Sequence, residues 1–368
     1  MSSLPPQRFS DNTTTFSAEQ NTPKMTSIPK AVLYYSPVSI WSAVALLALE
    51  EKGYGDDEVD LKLVDLGKGE NFDPTFLRLN PKATVPTLVV PLQKTLSEDV
   101  ESRYKAITDT KTLVDFLDKS RSAMSRTHTT SSAPAPSLTP ATIAATTTAK
   151  TIIDILHTEE ANPVNLFFIN ARDESSLQSL AKEVLPTLKG KQEALQQFIT
   201  EADKDTLHVS LKVKNLWKEK KNATDTLLEV LLDAGKPEGE LSTEAKAKRT
   251  DFLRVANDAW GVNCKAALTA LSKEIVGPFT LGDQLSVSDL HLAGWLATVV
   301  KLAGGAVTDN GNTVISKLEE YIGNGFGLPK DFESTKDGSR PPQSKLAAFW
   351  DAVRERPSWK KVYREGLF

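Results

Sequence analysis

The stretch "LYYSPVSIWSAVALLALEEKGY", residues 33–54, reads as a short apolar strand that breaks at Ser36-Pro37 and restarts as a helix over 39–52, with Gly53 as its stop. The turn holds two serines, Ser36 and Ser39, a bulky Trp41 and no cysteine. A helix start carries unpaired N–H groups and a partial positive charge, which lower the pKa of any thiol placed there. A hydroxyl aimed at the sulfur favours the thiolate further. A serine at this position therefore has two compatible uses. It caps the helix, and it meets a thiolate that arrives with a ligand. No histidine lies near in sequence to make either serine a nucleophile.

Working outward, strands are expected over 30–36, 59–66, 85–90 and 104–108, a short helix or turn over 73–81 and an amphipathic helix over 109–120. This order is a small α/β domain whose first half pairs in parallel. Composition then changes abruptly. Residues 120–140, "SRSAMSRTHTTSSAPAPSLTP", are Ser/Thr/Pro/Ala-rich and read as a linker. Beyond it helices are expected over roughly 141–160, 174–202, 208–234, 242–275, 286–303 and 344–363, with Pro357 stopping or kinking the last. The domain plan is a polar, disordered tail over 1–29, an α/β domain over 30–119, the linker, and an all-helical domain with insertions over 141–368.

Composition narrows the function classes. With a net charge of -4, nothing favours nucleic acid or an anionic membrane as partner. The single Cys264 excludes an intrachain disulfide and a multi-cysteine zinc site, and the four histidines lack metal-ligand spacing, so no metal is expected. Cys264 and Trp260, four apart on one helix, read as buried structure. The most apolar segment, 290–307, contains His291 and Lys301 and falls short of the roughly 20 apolar residues of a membrane span. The first 29 residues lack the apolar centre of a signal peptide, which suits a cytoplasmic protein.

Two further elements carry chemistry. Pro86 opens a strand, where it leaves a main-chain edge unpaired. If Val85-Pro86 is cis, the Val85 N–H and C=O face an extended peptide ligand, a form of recognition by strand addition. The plain alternative is an edge or turn proline. Asp109-Thr110 stands where a strand meets a helix, so its hydroxyl and the free N–H groups suit a carboxylate and the Asp109 side chain an ammonium. The plain alternative there is a helix cap.

Taken in this order, the three elements resemble the cytosolic glutathione transferase superfamily. "VDLGKGENFDPTFLRLNPKATVPTL" (64–88), "TDTKTLVDFL" (108–117), "FTLGDQLSVSDLHLAGWL" (279–296) and "AFWDAVRERPSWKKV" (348–362) match the family's segments in order. Ser286 and Asp289 form a capping box, a folding signal. The resemblance implies a thioredoxin-like domain followed by an all-α domain. It implies glutathione as co-substrate and a small hydrophobic electrophile as partner, with conjugation, ether cleavage or dehalogenation as the reaction. A homodimer and a role in detoxification follow from the same likeness.

Carried over residue by residue, Ser39 matches the catalytic serine of the phi and theta types, with Ser36 as second choice. Omega-type enzymes place cysteine there, so Ser39 points to thiolate stabilisation. Val85, Pro86, Asp109, Thr110, Asn71 and Thr84 fall at glutathione-binding positions, and Tyr35 and Trp41 near the electrophile pocket, Trp41 being equally a core residue. Glu101-Ser102 competes with Asp109-Thr110, because the loop over 91–103 is longer than the family's hairpin. The family's basic residue in "GEHK" is absent from Gly69-Glu70-Asn71-Phe72, and Lys82 or Lys68 would have to replace it. A non-catalytic binding protein on the same fold is the competing reading.

Overall fold

The computed structural model describes residues 30–92, 104–122, 131–333 and 342–368. The tail expected over 1–29 and the Glu101-Ser102 pair lie outside the described residues. The chain opens with β1 (Ala31–Tyr35), α1 (Ile40–Glu51), β2 (Val59–Leu63), α2 (Pro74–Leu79), β3 (Thr87–Pro91), β4 (Tyr104–Ile107) and α3 (Thr110–Ser120). The four strands form one sheet in the order β2-β1-β3-β4. β1 pairs with β2 in parallel through the α1 crossover, and β3 runs antiparallel to both β1 and β4. This is a thioredoxin-like mixed sheet, and the remainder of the chain is largely helical.

The helices that follow are α4 (Ile143–Leu156), α5 (Pro163–Phe168), α6 (Glu174–Asp203), α7 (Leu211–Leu231), α8 (Thr243–Asp258), α9 (Lys265–Glu274), α10 (Val287–Leu302), α11 (Gly311–Ile322), α12 (Lys345–Arg354) and α13 (Pro357–Val362). Two of them, α5 and α11, are absent from the sequence reading. The single helix expected over 242–275 is interrupted by a π-helical turn at Ala259–Cys264, which buries Trp260 and Cys264 completely. The helix expected over 344–363 stops at Arg354, ahead of Pro357. Pro357 begins α13, where a missing N–H costs nothing. Among the described residues no helix is long and apolar enough to cross a membrane. The apolar α10 is instead buried along its length, from Ser288 to Val300.

The site depends on α1. Its buried residues occupy every side of the helix, so it is enclosed rather than laid on a surface. Gly294 of α10 makes room for it: a Cβ there would stand 2.7 Å from Val44 Cγ2 and 3.2 Å from the Ile40 carbonyl. At the far end of α1, the buried Glu51 receives the Arg356 guanidinium and the Ser358 hydroxyl, and Lys361 reaches Glu50 at 2.6 Å.

Residues 131–140, inside the stretch read as a linker, have no regular structure yet are tied to the α/β domain. Asp118 accepts hydrogen bonds from Leu138 N–H, Thr139 N–H and Thr139 Oγ1, and pairs with the buried Lys52 Nζ at 2.8 Å. Burying two opposite charges is tolerable when every lone pair is satisfied, as here.

Two outcomes follow. Gly294→Val should lower unfolding free energy by about 1–3 kcal/mol in urea titration, because α1 and α10 cannot approach over an added side chain. Asp118→Ala should cost about 3–5 kcal/mol by the same measurement, because it strands the Lys52 charge. An unchanged midpoint in either variant would contradict the packing described.

Candidate functional site

The candidate site draws on three chain turns, those before α1, β3 and α3. Ser39 is the N-cap of α1, its Oγ accepting from Ser42 N–H at 3.3 Å. The same hydroxyl lies 3.5 Å from the Val85 carbonyl oxygen, so the helix start and the turn before β3 are adjacent. Ser39 is partly exposed, whereas Ser36 is buried and its N–H donates to Ser42 Oγ. Ser36 is thereby part of the scaffold beneath the turn. The Val85-Pro86 peptide bond is cis. Among the described residues the Val85 N–H has no acceptor and its carbonyl has only the Ser39 hydroxyl.

The loop before Val85 is rigidly held. Asn80 Nδ2 donates to the Thr84 carbonyl and hydroxyl and to Thr87 Oγ1. Asn71 Nδ2 donates to the Ala83 carbonyl at 2.8 Å, while its buried Oδ1 has no partner among the described residues. Thr84 itself is exposed.

Asp109 caps α3 through Thr112 N–H at 2.9 Å and Thr112 Oγ1 at 2.8 Å. Leu88 stands opposite Ile107 in the antiparallel β3–β4 pair, so continuing that register sets Asp109 across from Pro86. Partial burial acts to raise the Asp109 carboxyl. The Thr112 hydrogen bonds, with the charges of His157 and Lys111, outweigh it and hold the pKa below the usual carboxylate value. Asp109 is therefore an exposed anion at one end of the unpaired Val85 edge, with buried Thr110 behind it.

Lys68 and Lys82 are both exposed, and Lys68 pairs with Asp65 at 3.2 Å. Tyr35 packs partly buried against the main core. Trp41 lies at the boundary with the helical half, its ring stacked on His157 at 4.0 Å. Sequence reading missed that partner, which comes from the end of α4. His157 Nε2 in turn lies 3.0 Å from His291 Nδ1 of α10. Neither histidine is bonded to Ser39 Oγ, so no Ser–His nucleophile is formed among the described residues. Nor do His, Cys, Asp or Glu side chains cluster in threes as a metal site among them.

Burial drives both histidines towards the neutral form, His157 down to about 4, with Lys111 adding to the effect and Asp109 and Asp154 opposing it. His291 is lowered too, first by burial, then by His157 and Lys111, against Asp109. A neutral pair shares one N–H between the facing nitrogens. In the unfolded chain both protonate near 6.5. Acid therefore pulls the equilibrium towards the unfolded state: the stabilisation is complete above pH 6.5 and is lost as pH falls from 6.5 towards 4. The melting temperature should fall across that window, and His291→Leu should flatten the dependence. A wild-type curve level between pH 7 and pH 4 would contradict the buried neutral pair.

Comparison with known proteins places this geometry in context. The tetrachloro-p-hydroquinone reductive dehalogenase of Sphingobium chlorophenolicum is 48% identical over 64 residues, which is 17% of this chain and 25% of that protein. The match thus spans about a quarter of that relative's length. Among solved structures, glutathione transferase F7 from Populus trichocarpa aligns with a TM-score of 0.45 at 13% identity, covering 91% of this chain and 98% of its own. A Sulfitobacter glutathione transferase homologue with bound glutathione aligns with a TM-score of 0.41 at 15% identity, covering 91% and 98%. Residues 38–120 match the family model described as glutathione S-transferase, N-terminal domain, and that span holds Ser39, Asn71, Thr84, Val85, Pro86, Asp109 and Thr110.

Proposed function

We propose that the chain is a serine-type glutathione transferase. One observation carries the reading above all: the Ser39 hydroxyl at the α1 N-cap faces the otherwise unpaired Val85 main chain. An extended tripeptide that pairs its central residue with Val85 brings its thiol to that helix start. There the α1 N–H groups and the Ser39 hydroxyl stabilise the thiolate. Asp109 neutralises the ligand's ammonium and Thr110, at the first turn of α3, faces its carboxylate. Asn71 and Thr84 border the other end of the same edge.

The bound thiolate attacks an electrophilic carbon. A carbon–sulfur bond forms from the sulfur lone pair, and the leaving group departs with the electrons of its own bond. The Trp41–His157 stack and Tyr35 supply aromatic surface for a small hydrophobic electrophile. Conjugation, ether cleavage and dehalogenation all use this one nucleophile. The sequence likeness carries the rest of the proposal: a homodimer, cytoplasmic, working in detoxification, with residues 30–119 as the glutathione-binding unit and 141–368 as the helical one.

Turnover of glutathione with a general aromatic halide tests the reading. Ser39→Ala should lower kcat by about one to two orders of magnitude with a smaller change in KM for glutathione. Asp109→Asn should act the other way, raising that KM about tenfold and leaving kcat closer to wild type. Absence of glutathione binding at millimolar concentration would overturn the proposal. Binding without turnover across several electrophiles would favour a ligand-binding protein on the same fold.

A further inference from the structure

A cavity of about 250 Å³ opens between α3, the irregular segment at Thr139 and Pro140, α4 and the first turns of α10. His291 lines it, whereas Ser39, Val85, Tyr35, Trp41 and His157 do not. It is therefore separate from the cleft assigned to the electrophile, and it meets that cleft only through the histidine pair. Its walls come from both halves of the chain.

The walls are largely apolar, built from Val114, Pro140, Ala149, Ile153 and Val287. Two lysines and two aspartates also line it, and their charges cancel. Lys111 and Lys150 both pair with Asp154, at 2.7 and 3.0 Å, and Asp115 pairs with Lys119 at 2.7 Å. Such a lining holds no net charge to attract an ion. The hydroxyls are engaged as well: Thr139 Oγ1 donates to Asp118, and Thr146 Oγ1 to the Thr142 carbonyl.

His291 differs from these residues. It is 1% exposed, and its Nδ1 faces His157 Nε2 at 3.0 Å. The second ring nitrogen, Nε2, points away from His157 by the geometry of the imidazole. Among the described residues it has no hydrogen-bond partner. A buried polar atom left in that state is costly, so a ligand group that bonds to it is favoured. Burial keeps both rings neutral, and one N–H lies between the facing nitrogens. If His291 donates to His157, its Nε2 is an acceptor. If His157 donates, His291 Nε2 carries the proton and is a donor. A hydroxyl satisfies either tautomer, because it both donates and accepts. Size narrows the ligand further. An apolar cavity of about 150 Å³ already admits benzene, so this one admits a substituted single ring.

We infer that this cavity binds a small uncharged phenol, its ring against the apolar walls and its hydroxyl on His291 Nε2. The ligand touches α3 on one side and α4 and α10 on the other, bridging the α/β and helical halves. Occupancy does not require glutathione, because the cavity does not include the Val85 edge.

The test titrates p-cresol and toluene, which differ only in the hydroxyl, by calorimetry. The proteins are the full chain and its His291→Leu and Thr146→Trp variants, each checked for folding by its melting temperature without ligand. Thr146 is an exposed residue of the lining, so an indole there fills the cavity without entering the core. Wild type should bind both ligands, and Thr146→Trp should lose both. His291→Leu should weaken p-cresol about tenfold and leave toluene no weaker, the effect of one lost hydrogen bond. Unchanged p-cresol binding in Thr146→Trp would overturn this cavity as the site. Equal effects of His291→Leu on the two ligands, or none on either, would overturn the role of Nε2. Failure of wild type to bind p-cresol at millimolar concentration would overturn the inference outright, whatever the outcome with glutathione.

Discussion

The enclosure of α1 is the constraint on which the rest of the molecule depends. A helix that meets the sheet, α3, α10 and α13 at once needs small residues where neighbours cross it. Ala43, Ala45 and Ala48 on α1 and Gly294 on α10 supply them. With its flank pinned by α10 and its last turn clamped by Arg356 and Ser358 on Glu51, the helix cannot slide along its axis. Its first turn is therefore fixed relative to β3, which is what sets Ser39 against the Val85 carbonyl. The short α13 acts at the opposite end of α1 from the site, yet bears on it through that rigid body.

Charge is distributed sparingly around this fixed turn. Asp109 stays ionised because Thr112 donates twice to its Oδ1, while the histidine pair behind Trp41 stays neutral because it is buried. The histidine pair behind Trp41 thus adds aromatic surface but no charge of its own at neutral pH. An ammonium is favoured at the Asp109 end of the Val85 edge and an apolar body beside it.

How much of this was legible depended on sequence distance. The α1 turn, the Val85-Pro86 turn and the Asp109 cap are local signals, each set within a few residues by proline or by a capping side chain, and the structure has strands and helices at those places. The helix breaks were harder. The π-helical turn at Ala259–Cys264 interrupts a segment with no proline to announce it, and α5 is only six residues long, whereas α11 carries Val314, Ile315, Leu318 and Ile322 at helical spacing, a signal the reading passed over. The Trp41–His157–His291 cluster joins α1, α4 and α10, and His157 and His291 lie 134 positions apart, so no window of sequence contains it. The tether of 131–140 was hidden in the same way: Ser, Thr and Pro composition describes the segment's irregular backbone but says nothing of Asp118, whose carboxylate fixes it.

The central claim is that the α1 turn holds a thiolate that the ligand brings. The most direct measurement is the pH titration of the ultraviolet thiolate absorbance of glutathione bound to the protein. The account predicts a thiol pKa about a unit or more below the free value of about 8.5, returning towards that value in Ser39→Ala. A bound thiol that titrates like free glutathione in the wild-type protein would contradict it.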